Sequence, residues 1–365
     1  MSDEPAKNGT ANVPPGFGSP LTAHRSPLSV VALVESESHV CSRYRLAAFR
    51  PALTAAGYSL TLRSLPRSLW GRVQLYQSLR SADIVVIQRR LLPGFELALL
   101  RRWVRRLVFD FDDAVWLRDS YSPKGFESRK RSRRFRQVVA AADLVFAGND
   151  YLATEAAAHT VADRVVVIPT CVDPTAYPLA RHDNTGGVVR LVWVGSSSTL
   201  QGLERFRDTL EAIGRVTPGV RLKVICDRFP TVSRLPVDAV PWSEATEAAE
   251  IASADIGIAW MPDDVWSQGK CGLKVLQYQA AGLPVLANPV GVQKTLVHDG
   301  DTGYQVEETE RWVSAVRRLA GDNMLRRQLG SNGRRQVELG YSVAVGGRLW
   351  VEQLDRLLRP DRVSG

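Results

Sequence analysis

The run Gly269-Lys270-Cys271-Gly272-Leu273-Lys274, with Gln277 one turn on, combines residue types that suit an anionic ligand. Gly269 and Gly272 let the backbone approach a ligand closely. A helix starting at Gly272 offers free N–H groups and the positive end of its dipole, which favours phosphate. Lys270, Lys274 and Gln277 are spaced i, i+4 and i+7 and share one face, while Leu273, Leu276 and Ala280 lie nearer the core. Two lysines at a helix start are disfavoured by the dipole unless an anion normally sits there. A solvated lysine face beside a glycine turn is the competing interpretation.

A second constellation is Asp110-Phe111-Asp112-Asp113. Carboxylates at the C-terminal end of a strand can take up a proton or stabilise developing positive charge. An Asp-x-Asp metal site is the alternative, and helix capping suffices for Asp113. Arg43 and Arg45 follow Ser42 at the start of a helix, where a guanidinium can grip phosphate bidentately. Surface arginines behind a Ser42 N-cap would look the same. Asn149, after Gly148, is expected to cap a helix and to border the same cleft. Gly195 and Ser196 end a strand. Trp242 ends another, placed either to stack on a planar ligand or to pack in the core.

These residues need a frame. Short apolar runs predict strands at 28–34, 59–63, 83–88, 107–111, 143–147 and 165–168. A second series is predicted at 188–195, 221–226, 239–242, 255–260, 284–287 and 304–306. Helical patterns lie between them, including 42–56, 128–141, 201–215, 243–252, 272–281, 311–320 and 322–329. Strand–helix alternation implies parallel sheets covered on both faces. The expected fold class is α/β: two tandem Rossmann-like, doubly wound domains facing across a cleft. Residues 1–26 are expected to be a disordered tail. Residues 27–178 form the first domain, 178–187 a polar Gly-rich linker, and 187–342 the second domain. A helix at 343–358 is expected to cross back to the first.

With 365 residues and 45% hydrophobic composition, the chain suits two globular domains. No run of apolar residues is long enough to span a bilayer, and no signal peptide is evident. The four cysteines form no CxxC pair, which argues against zinc or disulfides and for a reducing, cytoplasmic setting. Of the net charge of +9, residues 1–180 carry +8, from 24 Lys and Arg against 16 Asp and Glu. Arg101, Arg102, Arg105 and Arg106 surround Trp103. Arg129, Lys130, Arg131, Arg133, Arg134 and Arg136 surround Phe135. Such clusters suit an anionic membrane surface, with a peripheral location on its inner face. No nucleic-acid module is present, so nucleic acid is not an expected partner.

The stretch 272–287 resembles the signature of group 1 retaining glycosyltransferases of the GT-B fold: Gly-Leu, a helix ending Ala-Ala-Gly, then Leu-Pro-Val-Leu-Ala. The resemblance continues through Val290-Gly291, Val297-His298-Asp299-Gly300 and Thr302-Gly303. Upstream it takes in Ile168–Asp173, Val194-Gly195 and Ala254–Ile258. It implies a nucleotide-sugar donor held by the second domain without metal or other cofactor. It also implies a saccharide or lipid-linked acceptor on the first domain, and transfer with retention. It places Asp112 near the donor's anomeric carbon and the nucleotide base near Trp242. Two glutamates eight positions apart are usual in the family, and here they fall at Gly269 and Gln277. The usual pyrophosphate-binding Arg and Lys align with Ser196 and Gln201, so Lys270 and Lys274 are expected to replace them. Gln277 is expected to meet a ribose hydroxyl. The departure at Gly269 keeps open a sugar-nucleotide epimerase or an inactive nucleotide-sugar-binding relative.

Overall fold

The computed structural model describes residues 26–183 and 187–359. The expected disordered tail therefore lies outside the described residues except for Ser26, as does part of the expected linker.

The first half runs β1 (Leu28–Val34), α1 (Val40–Arg45), α2 (Arg50–Ala55), β2 (Tyr58–Ser64), α3 (Leu69–Ser78), β3 (Ile84–Gln88) and α4 (Gly94–Arg101). It continues with β4 (Leu107–Phe111), α5 (Arg129–Ala141), β5 (Leu144–Ala147), α6 (Asp150–Ala157) and β6 (Val165–Val167). The second half runs β7 (Val189–Val194), α7 (Ser197–Arg205), α8 (Arg207–Val216), β8 (Val220–Cys226), β9 (Val237–Pro241), α9 (Glu247–Ala252) and β10 (Ile256–Ala259). Then follow α10 (Leu273–Ala280), β11 (Val285–Ala287), α11 (Gln293–Leu296), β12 (Gly303–Gln305), α12 (Thr309–Gly321), α13 (Asn323–Gln336) and α14 (Val343–Leu358).

All pairings within the two sheets are parallel. The strand orders are β2-β1-β3-β4-β5-β6 and β12-β11-β10-β7-β8-β9. Both faces of the first sheet are buried, which is why β3 and β4 read as unbroken apolar runs. Val85 and Ile87 join α3–α6 in one core, while Ile84 and Val86 join α2 and α14 in the other. The expected helix at 42–56 is interrupted at Leu46, which adopts non-helical backbone angles between α1 and a 3₁₀ turn. The one expected at 201–215 breaks at Phe206, whose ring leaves the helix path to pack on Trp260 and Trp312.

The chain crosses between the halves twice, and the crossings are tied together. Val172 N donates to Tyr341 O (3.0 Å) and Val343 N donates to Val172 O (3.0 Å). The second crossing is a π-helical turn at Val337–Tyr341. It delivers α14 to the first domain, where Trp350 packs against Phe49 and Phe146.

Candidate active site

Each sheet has one point where strand order reverses: between β1 and β3, and between β7 and β10. Ligand crevices open at such points, beyond the strand C-termini. Across the cleft, the loops after β4 and β5 meet the loop after β10, where Asp113 pairs with Lys270 and Asn149 donates to Gln268 O and Lys270 O.

Arg89 follows β3 and adopts a left-handed backbone, with φ of 56°. For a non-glycine residue this is strained, and such strain concentrates at functional sites. Its N–H donates to Asp110 O (2.8 Å), fixing the turn. Its guanidinium forks, with Nη1 reaching Asp112 Oδ1 (3.1 Å) and Nη2 reaching Asp113 Oδ2 (2.6 Å). Burial pushes the Asp112 carboxyl up, but Arg89 and Arg45 outweigh it and hold it below its usual value. Asp112 is therefore an ionised carboxylate at the cleft floor.

Asp110 and Arg45 have a different role from the one expected. Both are fully buried. The Arg45 guanidinium pairs with Asp110 and also donates to Ile168 O, while Gln88 Nε2 donates to Asp110 Oδ2 (3.3 Å). Neither can reach a substrate, because every charged atom is spent inside the core. Ser42 is not an N-cap either. His39 Nδ1 accepts from Cys41 N (3.2 Å), and Ser42 Oγ points inward to Ser36 O (2.8 Å) and Gln88 Oε1 (2.9 Å). Arg43 stays at the rim, paired with Glu244 (3.1 Å).

The second domain supplies the opposite wall. Gly272 has φ of 69° and caps α10, a conformation glycine adopts without cost. Lys274, in the first turn of α10, holds its ammonium 4.1 Å from the centroid of the Trp193 ring. It has no carboxylate partner among the described residues. Burial and the nearby Lys270 push its pKa down to about 7. Lys270 Nζ reaches across to Asp113 Oδ1 (2.8 Å) and lies 4.9 Å from the Trp266 ring centroid. Gly195 extends the β7–β8 ladder, donating to Ile225 O (3.0 Å). Ser196 is exposed, and its N–H donates to Thr199 Oγ1 (3.2 Å). The next N–H, of Ser197, is taken by Asp227 (2.6 Å). Of the two helix starts, α10 thus carries the cation without a carboxylate partner.

Domain contact explains the glycine at 269. A Cβ there would lie 2.7 Å from the Ala114 backbone nitrogen. No glutamate fits while the domains are packed this closely. Cys271 is drawn into the same contact, its thiol donating to Asp112 O (3.2 Å), and burial pushes that thiol pKa up. Leu273 is half-buried beside the second-domain core. Asn149 is fully committed as well. Its Oδ1 caps α6 at Leu152 N (2.9 Å), and its Nδ2 donates to Gln268 O (3.3 Å) and Lys270 O (3.0 Å). It bridges the domains and holds no phosphate.

Gln277 is corrected too. It is buried, and its Nε2 donates to the hydroxyls of Tyr44 (3.1 Å) and Tyr177 (3.2 Å). Tyr44 donates in turn to Glu247 (3.3 Å), and Trp242 Nε1 donates to the other Glu247 oxygen (2.7 Å). Of the two places expected for Trp242, the core is ruled out. The indole is 43% exposed, because β9 is the sheet edge.

The basic clusters also change meaning. Phe135 is buried against Phe109, Phe111 and Trp116, and Trp103 packs on the same core. Neither aromatic is available to a membrane. Arg101 pairs with Asp143 (2.9 Å), and Arg106 donates to Leu357 O (3.3 Å). Arg102, Arg105, Arg129, Lys130, Arg133 and Arg136 remain exposed.

Residues 188–322 match the family model "Glycosyl transferases group 1". That match spans most of the second domain, which is thus similar to the group 1 glycosyltransferases. Its whole-chain architecture is GT-B, shared with several solved structures. Sucrose-phosphate synthase from Thermosynechococcus elongatus is 16% identical, with 92% of this chain and 99% of that one covered at a TM-score of 0.69. A glycosyltransferase from Rickettsia africae is 13% identical over 92% and 100%, with a TM-score of 0.70. HepE from Anabaena, solved with UDP and glucose, is 15% identical over 90% and 100%, with a TM-score of 0.64. A D-inositol 3-phosphate glycosyltransferase from Nocardia farcinica is 44% identical over 61 residues, which is 16% of this chain and 14% of that protein. Lys270 and Lys274 lie on the second-domain side of this cleft, and Asp112 lies on the first-domain side. Arg89 was not foreseen. Nothing in the sequence around it marks a left-handed backbone, and its two carboxylate partners lie in the loop after another strand, β4.

Proposed function

We propose that the protein transfers a sugar from a nucleotide-sugar donor to an acceptor, with retention at the anomeric carbon. The observation that carries this is Lys274, a half-buried cation at the α10 N-terminus with no carboxylate partner, one turn from the cross-cleft Lys270–Asp113 pair. A donor diphosphate satisfies both lysines and the helix N-terminus. Its leaving oxygen then keeps the electron pair as the glycosidic bond breaks. Asp112, ionised and steered by Arg89, stabilises the oxocarbenium-like centre. The acceptor hydroxyl attacks the same face and passes its proton to the departing phosphate. No metal is needed in this scheme, because lysines and backbone N–H groups meet the developing charge. The exposed Trp242 stacks on the nucleotide base. HepE was solved with UDP-glucose, and the pneumococcal GtfA with UDP and GlcNAc, which supports a UDP-type donor.

The acceptor is a saccharide or lipid-linked saccharide, met at the cytoplasmic face of a membrane. No helix among the described residues is long and apolar enough to cross one. Gly269 favours one second reading, an epimerase or a binding protein, since it removes a usual carboxylate. A thermal-shift screen of UDP-, GDP- and ADP-sugars identifies the donor, since a ligand at 100 times its Kd adds about 2.7 kcal/mol. Labelled donor with lipid extract then separates transfer from epimerisation. If no nucleotide sugar shifts the melting point, the proposal fails.

A further inference from the structure

We infer that the edge of the first domain where α3, α4 and α5 begin is a docking surface for an anionic lipid bilayer, with Leu69, Trp70 and Phe95 as its inserted side chains. In making the acceptor membrane-anchored, this deepens the glycosyltransferase reading and rests on it.

Three large apolar side chains stand out from this edge. Trp70 is 71% exposed, Phe95 63% and Leu69 53%. Leu69 and Trp70 open α3, and Phe95 opens α4. The two helix starts are joined by the Arg72–Glu96 ion pair (2.7 Å). Beyond them the start of α4 lies against α5: Arg134 donates to Leu91 O (3.4 Å), and Gly94 sits beside the Gln137 amide.

All three helices cover the same face of the first sheet. Their N-termini therefore line its C-terminal edge, the edge that also carries Arg89 and Asp112. The apolar side chains and the candidate active site open the same way.

Beyond α4, helix α5 carries a comb of cations, with Arg136 on its side toward Glu155 and His159 of the next helix region. Helix α5 reads RKRSRRFRQVVAA and contains no acid. Its apolar side, Phe135, Val138 and Val139, is buried. Arg129, Lys130, Arg133 and Arg136 point outward, and none pairs with a carboxylate among the described residues. They line an open hollow of ≈ 680 Å³ with Leu117, and Glu127 is the one acid on its wall. Two of these cations, Arg129 and Lys130, crowd the first turn, where the helix dipole opposes them. Protruding aromatics at one domain edge, with unpaired cations one helix further along it, suit the headgroup boundary of an anionic bilayer. A soluble polyanion would use the cations and leave the apolar trio idle. A protein partner would need no anionic lipid.

The test is flotation of the full chain with phosphatidylglycerol–phosphatidylcholine vesicles and with phosphatidylcholine alone. Wild type should float with the anionic vesicles at low salt and release as salt screens the cations. Trp70→Ser with Phe95→Ser should weaken partitioning about tenfold or more, since two apolar contacts are lost. Arg133→Ser with Arg136→Ser should weaken it and flatten the salt dependence. Equal binding to neutral vesicles overturns the inference, as do no binding at all and wild-type binding by the Trp70–Phe95 variant. The same proteins are screened with nucleotide sugars. A retained nucleotide-sugar shift with lost flotation isolates the docking surface. Flotation in a protein that no nucleotide sugar stabilises leaves the surface standing and removes the glycosyltransferase reading.

Discussion

Lys270 Nζ on the second domain lies 2.8 Å from Asp113 Oδ1 on the first, and the other oxygen of that carboxylate takes Arg89 at 2.6 Å. A donor diphosphate must therefore compete with Asp113 for Lys270. Asp113→Asn is expected to tighten nucleotide-sugar binding by up to about fivefold, the worth of a partly exposed pair. Lys270→Ala is expected to weaken it about tenfold, through loss of a charge-assisted contact. Calorimetry with the identified nucleotide sugar reads both, and wild-type affinity in each variant removes Lys270 from the donor site.

Lys274 makes donor binding pH-dependent. Burial and Lys270 lower its pKa from 10.5 to about 7. In the unfolded chain it holds its proton up to the higher value, so stability should rise with pH across that window. Lys274→Ala should flatten the rise. A bound diphosphate raises the lysine pKa, so donor affinity should be constant below pH 7 and fall above it. Melting temperatures and donor titrations across neutral to alkaline pH test both slopes. A parallel pH profile in the Ala variant would show that another group is responsible.

Arg89 joins strain to charge. Glycine relieves the φ of 56°, worth about 1 kcal/mol or more, whereas alanine does not. Arg89→Gly should therefore be more stable than Arg89→Ala, while both lose turnover at least about tenfold because Asp112 is no longer steered. Denaturant melts and labelled-sugar transfer separate the two effects. Comparable turnover in wild type and either variant would confine Arg89 to a structural role.

The carboxylates one residue apart from Phe111 should fail in different ways. Asp112→Asn is expected to lower turnover about 100-fold or more while donor affinity holds. Arg45→Ala strands the buried Asp110 charge and should cost about 3–5 kcal/mol of stability, the usual cost of breaking a buried pair. Turnover by wild type should survive EDTA, since Arg89 and Lys270 already engage Asp112 and Asp113. Activity lost in EDTA and restored by manganese would make these carboxylates metal ligands.

Strands were readable because both faces of each sheet are buried and the apolar runs are continuous. The glycine-lysine run before α10 was readable because its chemistry is local to one turn. Tertiary pairing was not. Arg45 looks like any arginine near a helix start, and its partner Asp110 lies on another strand. Gln277 spends its amide on Tyr44, a residue of the other domain. Phe135 sits among six cations in sequence, yet the helix turns it to the opposite side. Trp242 could not be placed without knowing that β9 is an edge. The helix break at Phe206 has no Pro to announce it, whereas the break at Leu46 was signalled by Pro51, which sits in the first turn of α2.

Helix α14 has a consequence for the order in which the protein is made. Trp350 and Leu354 complete one of the two cores of the first domain, against Phe49, Leu53 and Phe146. A ribosome thus finishes the second domain while the first still shows an uncovered apolar face. Domains that fold as they emerge usually do so from the N-terminus onward, and exposed apolar surface invites aggregation. Here the nascent first domain must wait for α14, made after the whole second domain, so it is the half that a chaperone would have to guard during synthesis.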